Sequence, residues 1–475
     1  MIQQFGVSRW YATWILFVML QGAFAAEPPA AADVARQARQ LLDGVVKPDG
    51  PGVAVLVARG DEILFRGARG MAQIELGVPL GADTVFRIGS NTKQFAAATV
   101  LNLVQQGKLS LNDPLSKFVP AYPNGGNITV HQLLNHTSGI KNYTEIDGYM
   151  DVGVRADLDT EKLIAVFKDQ PSDFPPGTDW KYDNSGYVLV GAIIETVTGK
   201  PWYEAINEIV LAPLSLKHTG YGADLQLIPG RAAGYSDDGQ GHTTNAVYLS
   251  MTQPSAGGGM VSTVDDLFHW MRALHTGKAL DADSYHRMIT PVPTPSGKPT
   301  DYGYGMSTRT LRGDQAFEHS GGIPGFASDT IYFPASAVSV VVLANTDSGS
   351  PNTGLLMSKL AADAIGKPYP DRHPVKLPAK VMQSLVGVYD MGGGMHRLVT
   401  VRDGTLYTLR EGGAPHVLLA ASADELYFNE VLDYFKIERN AAGKVVALQQ
   451  FPDGEGPAQR QAKLADALPA ETPKK

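Results

Sequence analysis

Apolar, β-branched runs stand far apart in this chain, and that separation constrains its fold more than any other feature. Gly52-Val53-Ala54-Val55-Leu56-Val57-Ala58 and Glu62-Ile63-Leu64-Phe65-Arg66 read as two strands joined by a turn at Arg59-Gly60-Asp61. Ser339-Val340-Val341-Val342-Leu343-Ala344 reads as a strand much later in the chain. What lies between is mostly helical in pattern. The expected fold is α+β: an antiparallel sheet assembled from both ends of this region, flanked by helices, with a helical region inserted.

The helices carry readable start and stop signals. Apolar residues recur at helical spacing over Ala31 to Leu42. A helix is expected from Ser90 to Gln106, ended by Gly107, and another begins at Thr129 as N-cap. Asn184 to Thr198 reads as a third, closed by Gly199 with Pro201 beyond it. A fourth starts at Ser262 or Thr263, where Asp265 and Asp266 suit the helix dipole.

The composition shifts at Lys367-Pro368-Tyr369-Pro370 and again between Pro374 and Pro378, as in a linker. Short alternating segments follow, among them Thr405-Leu406-Tyr407-Thr408-Leu409 and Tyr434-Phe435-Lys436-Ile437, and predict a small antiparallel sheet or barrel. At the other end, Arg9, the apolar run Trp14 to Leu20 and Ala23-Phe24-Ala25 have the order of a secretory signal cleaved near Ala25. The run is short for a bilayer span. The expected domains are a signal over 1–25, a main domain over 27–370, a small C-terminal β-domain over 376–465 and a flexible tail over 466–475. The mature protein is expected to be secreted, periplasmic in a Gram-negative source, with no stable membrane span.

A net charge of -8 without any basic block argues against a nucleic-acid partner. The absence of cysteine excludes a cysteine nucleophile and Cys-ligated metal. His131 and His136 form no zinc-binding pattern, the glycine runs at 257–259 and 392–394 lack the Lys and Ser or Thr of a phosphate loop, and no Gly-x-Ser-x-Gly elbow occurs. Neither metal nor cofactor is expected.

Three short elements carry chemistry. Ser90 and Lys93 stand three apart at a helix start and so share a face. A lysine made neutral by burial can take a serine proton, and a helix start presents free N–H groups to an oxyanion. Tyr182-Asp183-Asn184 lies at a loop-to-helix junction after Pro176-Gly177. Beside a lysine cation, Tyr182 can lose some proton affinity and act as base or pass a proton to a leaving group. Asn184 offers an amide to a substrate carbonyl and to Lys93; taken alone, the triplet is a capped helix start with Asn184 as N-cap. His319-Ser320-Gly321-Gly322 precedes a strand-like run reaching Tyr332. There Gly321 admits a ligand close to the strand edge, and the next N–H can donate to an oxyanion.

Ser-x-x-Lys, Tyr-x-Asn and His-x-Gly in that order resemble the serine β-lactamase and penicillin-binding protein superfamily. More narrowly they resemble its class C β-lactamase-related group of D,D-peptidases, D-aminopeptidases and esterases. Leu133-Leu134-Asn135-His136-Thr137-Ser138-Gly139 and Gly257-Gly258-Gly259-Met260-Val261-Ser262-Thr263 are similar to two further segments of that group. The resemblance covers roughly residues 30 to 365. It implies catalytic Ser90, Lys93 and Tyr182, with Asn184, His319, Gly321 and Gly322 binding substrate. The N–H groups of Ser90 and Gly322 would form the oxyanion hole, and Tyr182 would serve as base in deacylation.

The third motif is His-Ser-Gly where the efficient β-lactamases of the family have Lys-Thr-Gly. A histidine grips a carboxylate only below its pKa, so a D-amino-acid or peptidoglycan-like peptide, or a small ester, is the expected substrate. The alternatives are a β-lactamase acting on antibiotics and a penicillin-binding sensor with poor turnover. Partners are thus small molecules or peptides, with a cell-wall origin as one source. Leu385-Val386-Gly387-Val388-Tyr389 is similar to the opening of the lipocalin-like β-domain appended to many such hydrolases. That domain would either cover the mouth of the active site or simply stabilise the fold.

Overall fold

The computed structural model describes residues 28–295, 297 and 300–466. The expected signal over 1–25, and the tail beyond 466, lie outside those residues. Helix α1 (Ala31–Val45) is followed by strands β1 (Val53–Arg59) and β2 (Glu62–Arg69). Strands β3 (Ser307–Leu311), β4 (Asp314–Ile323), β5 (Phe326–Phe333) and β6 (Val338–Ala344) come only after the helical region. Together they form one antiparallel sheet in the order β3-β4-β5-β6-β1-β2.

The seam between the two ends is the β1–β6 pair, with Val53 opposite Ala344 and Arg59 opposite Val338. These two runs are nearly all apolar because both faces of the sheet are covered. Val53, Val55, Val57, Val340 and Val342 pack on one side with Leu42 of α1 and with Leu356 and Leu360. Ala54, Leu56, Val341 and Leu343 face the helical region on the other side. Each fully buried valine or leucine contributes about 1.5–3 kcal/mol. A polar residue on either face of this pair would therefore be as damaging as one in the centre of a helical core.

In the helical region α2 (Thr92–Gln105) is buried on all sides through its first two turns. Ser90 itself lies on a preceding single 3₁₀ turn, Gly89–Asn91, so the expected helix from 90 begins tighter than an α-helix. The short helix α3 (Val130–Leu134) starts at the expected Thr129, which forms a reciprocal capping box with Gln132. Helix α4 (Asn184–Thr198) is followed by α5 (Ser255–Gly258), α6 (Val264–His275) with Thr263 as N-cap, and α7 (Thr353–Ala364).

Beyond the linker the chain forms a closed antiparallel barrel. Its strands are β7 (Gly387–Gly392), β8 (Met395–Arg402), β9 (Thr405–Arg410), β10 (His416–Ser422), β11 (Glu425–Tyr427), β12 (Tyr434–Arg439), β13 (Val445–Phe451) and β14 (Gln459–Ala465). Tyr389, wholly buried, donates to the Leu385 carbonyl at 2.7 Å and ties the entry of the barrel to its first strand. The barrel touches the main domain where Arg312 N donates to Glu455 and Asn352 Nδ2 donates to the Glu430 carbonyl. No helix among the described residues is long and apolar enough to cross a membrane.

Candidate active site

Lys93 is fully buried and is held by three elements at once. Its Nζ lies 3.1 Å from Ser90 Oγ, 2.8 Å from Asn184 Oδ1 and 2.8 Å from the Gly257 carbonyl of α5. The rings of Tyr182 and Tyr187 close the space around it, at 4.8 and 5.3 Å from the nitrogen. Burial drives its ammonium down from 10.5 to about 7, against the pull of Asp183. A neutral amine has two N–H donors and one lone pair. With Asn184 Oδ1 and the Gly257 carbonyl accepting the two donors, the lone pair is left for the Ser90 hydroxyl.

Asn184 is free to reach Lys93 because it is not the cap of its helix. Asp183 caps α4, accepting from the N–H groups of Ser185 at 2.8 Å and Gly186 at 3.0 Å. Asn184 Nδ2 donates to Thr144 Oγ1 at 3.5 Å, which turns its oxygen towards Lys93. Burial pushes the Asp183 carboxyl up, while the two capping N–H groups and Lys93 hold it down.

Tyr182 lies over Lys93 and interacts with Ser90, but its acidity differs from the sequence expectation. Burial pushes its phenol above the usual range, and this outweighs the contact with Ser90. Lys93, brought down to about 7, is only about half charged at neutral pH and does not offset that. In the unliganded site Tyr182 is a proton donor, and Lys93 is the group poised to accept.

His319, Gly321 and Gly322 lie on β4 itself rather than ahead of a strand. Strand β3 pairs with β4 only as far as Glu318, so the following residues form an open edge beside Ser90. The strand passes very close to the Ser90 turn: a Cβ on Gly321 would meet the Ile88 carbonyl at 2.1 Å and Ser90 N at 3.0 Å. Gly89, with φ +49, makes the reciprocal approach, and a Cβ there would meet Gly322 N at 2.9 Å. The Ser90 N–H, in a first helical turn, and the Gly322 N–H, on the strand edge, are thereby set side by side.

His319 is a neutral, fully hydrogen-bonded imidazole. A carbonyl can only accept, so Nδ1–H donates to the Ser320 carbonyl at 2.5 Å, and Nε2 accepts from the Tyr302 hydroxyl at 2.7 Å. Burial lowers its pKa to about 3, with Lys93 adding to the effect. The charge expected below an ordinary histidine pKa is therefore absent through the whole neutral range.

Two cavities meet at Ser90 and Gly322. The smaller, about 100 Å³, is walled by Tyr143, Thr144, Met150, Asn184, Leu249 and Ile323 among others. The larger, about 440 Å³, is walled by Trp180, Tyr182, Asp301, Tyr302, Glu318 and His319. The loops at 142–159 and 235–252, which have no readable pattern in sequence, thus supply walls of the smaller one.

Sequence reasoning missed several groups that shape the site. The Gly257 carbonyl is a backbone atom in a segment noted only as a motif. Tyr302 sits in an irregular stretch with no periodic signal. Asn91, Ser328 and Thr330 pin the Ser90 turn to β5: Asn91 Nδ2 donates to Ser328 Oγ at 2.7 Å, and Thr330 Oγ1 donates to Asn91 Oδ1 at 3.1 Å. Asn91 was within reach of sequence reasoning, being adjacent to Ser90; its partners are visible only once β5 is placed.

A family model described as Beta-lactamase matches residues 34–363. The chain is similar to penicillin-binding protein 4* of Bacillus subtilis (strain 168), at 28% identity over 435 residues, covering 84% of this chain and 93% of that protein. It is also similar to esterase EstB of Burkholderia gladioli, at 30% identity over 295 residues, covering 54% of this chain and 72% of the esterase. Among solved structures, a D-stereospecific amidohydrolase from Streptomyces sp. matches with a TM-score of 0.58 at 30% identity, covering 67% of this chain and 95% of that one.

Proposed function

The chain belongs to the beta-lactamase family, and from that premise we propose that it is an exported serine hydrolase cleaving amides or esters through an acyl-enzyme on Ser90. The observation that carries this reading is the buried Lys93, whose Nζ lies 2.8 Å from Asn184 Oδ1, 2.8 Å from the Gly257 carbonyl and 3.1 Å from Ser90 Oγ. Neutral Lys93 takes the Ser90 proton as Oγ attacks the carbonyl carbon, and the N–H groups of Ser90 and Gly322 receive the oxyanion. Tyr182, still protonated, gives its proton to the departing amine or alkoxide and regains one from the Lys93 ammonium. Water then attacks the ester with Lys93 as base, and Ser90 leaves with the proton returned.

The leaving group occupies the larger cavity, since Tyr182 lines that side. His319 is neutral there, Glu318 is already paired with Arg309 at 3.1 Å, and no Lys or Arg among the described residues lines this cavity, so a leaving group that ends in a carboxylate is poorly held. This favours uncharged amides and esters, D-amino-acid amides among them, over β-lactams and peptides ending in a free carboxylate. The amidohydrolase and esterase relatives support the same preference. The second reading is a penicillin-binding sensor with poor turnover, which the similarity to penicillin-binding protein 4* favours.

The test is labelling with a fluorophosphonate, mass spectrometry to place the adduct, and a turnover panel of D-amino-acid amides, p-nitrophenyl esters, nitrocefin and D-Ala-D-Ala peptides. Adduct on Ser90 and turnover of the first two groups are expected. Turnover by Ser90→Ala would overturn the mechanism, and a stable adduct without turnover would favour the sensor. Export rests on the order Arg9, Trp14 to Leu20, Ala23-Phe24-Ala25. Intact-mass measurement of the protein from a cell envelope fraction should show a chain beginning at Ala26, and an uncleaved cytoplasmic chain would refute it.

A further inference from the structure

The barrel has a polar end that hydrolysis does not use. Inward positions alternate along its strands, and towards one end they are apolar: Val399, Leu406, Leu418, Leu426 and Leu448 pack together. Two residues along the same inward faces, the pattern changes. Arg397 precedes Val399 on β8, Thr408 follows Leu406 on β9 and Gln450 follows Leu448 on β13, and these three are 3%, 1% and 4% exposed. They open into a cavity of about 390 Å³ at the barrel end, walled also by Leu409, Ala414, His416, Phe428 and Val431. A volume of that size is in the range of small-molecule sites.

Arg397 is a buried guanidinium held only by neutral acceptors. Its Nε donates to Gln461 Oε1 at 2.8 Å, Nη1 to Thr408 Oγ1 at 3.3 Å and Nη2 to Gln450 Oε1 at 3.1 Å. The five N–H donors of a guanidinium thus exceed the acceptors supplied. Asp433 is connected to it only at one remove, through Gln450 Nε2, which donates to Asp433 Oδ2 at 2.6 Å. A buried charge without a directly bonded ionic partner is costly: burial, with Arg410 nearby, lowers Arg397 to about 10 against the pull of Asp433, and the Phe435 ring covers one face at 4.8 Å.

We propose that this end of the barrel binds a small organic carboxylate, which completes the hydrogen bonding of Arg397 and lays an apolar body against Phe428 and Leu409. Guanidinium and carboxylate match in plane and spacing. Glu430, Asp433 and Asp453 also line the cavity, as do Arg410 and His416, so the carboxylate is placed at Arg397 rather than elsewhere on the wall. Glu430, Val431 and Asp453 are shared with a second cavity of about 250 Å³ that also includes Glu318 and Ser320. The ligand would thus sit beyond the far end of the leaving-group side of the cleft.

The full-length protein titrated calorimetrically with octanoate should bind one molecule per chain, and octanol at least about tenfold more weakly. Arg397→Met should abolish that preference with the circular dichroism spectrum unchanged. Should this variant fail to fold, hydrogen exchange on the unaltered protein locates the site: octanoate should protect β8 and β9. Absence of saturable octanoate binding, equal affinity for octanol, undiminished binding by a folded Arg397→Met, or protection confined to the main domain would each overturn the proposal.

Discussion

Ser90 should react with a fluorophosphonate at a rate set by the fraction of Lys93 that is uncharged. Burial brings Lys93 from 10.5 to about 7, equivalent to about 5 kcal/mol against the ammonium. At pH 5 about 1% of such a lysine is neutral and at pH 8 about 90%, so labelling should speed up about 90-fold over that interval and level off above pH 8. A lysine with its ordinary pKa would be about 0.3% neutral at pH 8, and its rate would still climb about eightfold between pH 9 and pH 10. A Tyr182 phenolate acting as base would give the same unbroken climb, since burial pushes Tyr182 up. Timed labelling quantified by intact mass from pH 5 to 10 separates these cases. Lys93→Arg supplies the second arm: a guanidinium keeps its proton, so labelling should fall about a thousandfold at pH 8 and lose its dependence on pH, the deficit narrowing to about tenfold at pH 5. A rate still rising at pH 9, or an arginine variant retaining more than about a tenth of the rate at pH 8, would refute Lys93 as the proton acceptor.

Gly321→Ala places a Cβ 2.1 Å from the Ile88 carbonyl, so the strand edge must move away from Ser90; kcat/KM should drop at least about 100-fold with a stability cost of about 1–3 kcal/mol, read from kinetics and a thermal melt. His319→Lys introduces a cation on the leaving-group side, and the kcat/KM ratio of a peptide with a free C-terminal carboxylate to its amide should rise about tenfold. Thr129→Ala removes one half of the capping box at α3; it should cost about 1 kcal/mol, visible as a lower Tm, with turnover unchanged.

The elements legible in the sequence are those whose signal is local. Ser90 and Lys93 meet because three residues of helical chain bring them together, and Thr129 caps its helix with the residue types a capping box requires. The β1–β6 seam was legible too, since a strand buried on both faces must be apolar throughout. What escaped depends on partners far along the chain. Asp183 takes the cap and frees Asn184, a choice between adjacent residues that composition does not settle. The neutral state of His319 follows from Tyr302 and from burial, neither of which is encoded near position 319. The discharge of Lys93 likewise needs Tyr182, Tyr187 and the Gly257 carbonyl around it.

The seam between β1 and β6 also sets when the chain can first do chemistry. Ser90 emerges early in synthesis, yet the strand edge carrying Gly322 and the partner strand of β1 are among the last parts of the main domain to be made. Loop closure over so many residues delays the pairing. On the proposed mechanism, a nascent or truncated chain ending before Gly322 carries Ser90 and Lys93 without the strand edge that completes the oxyanion site. Reactivity is then expected to arrive late, in a chain that has already closed its sheet.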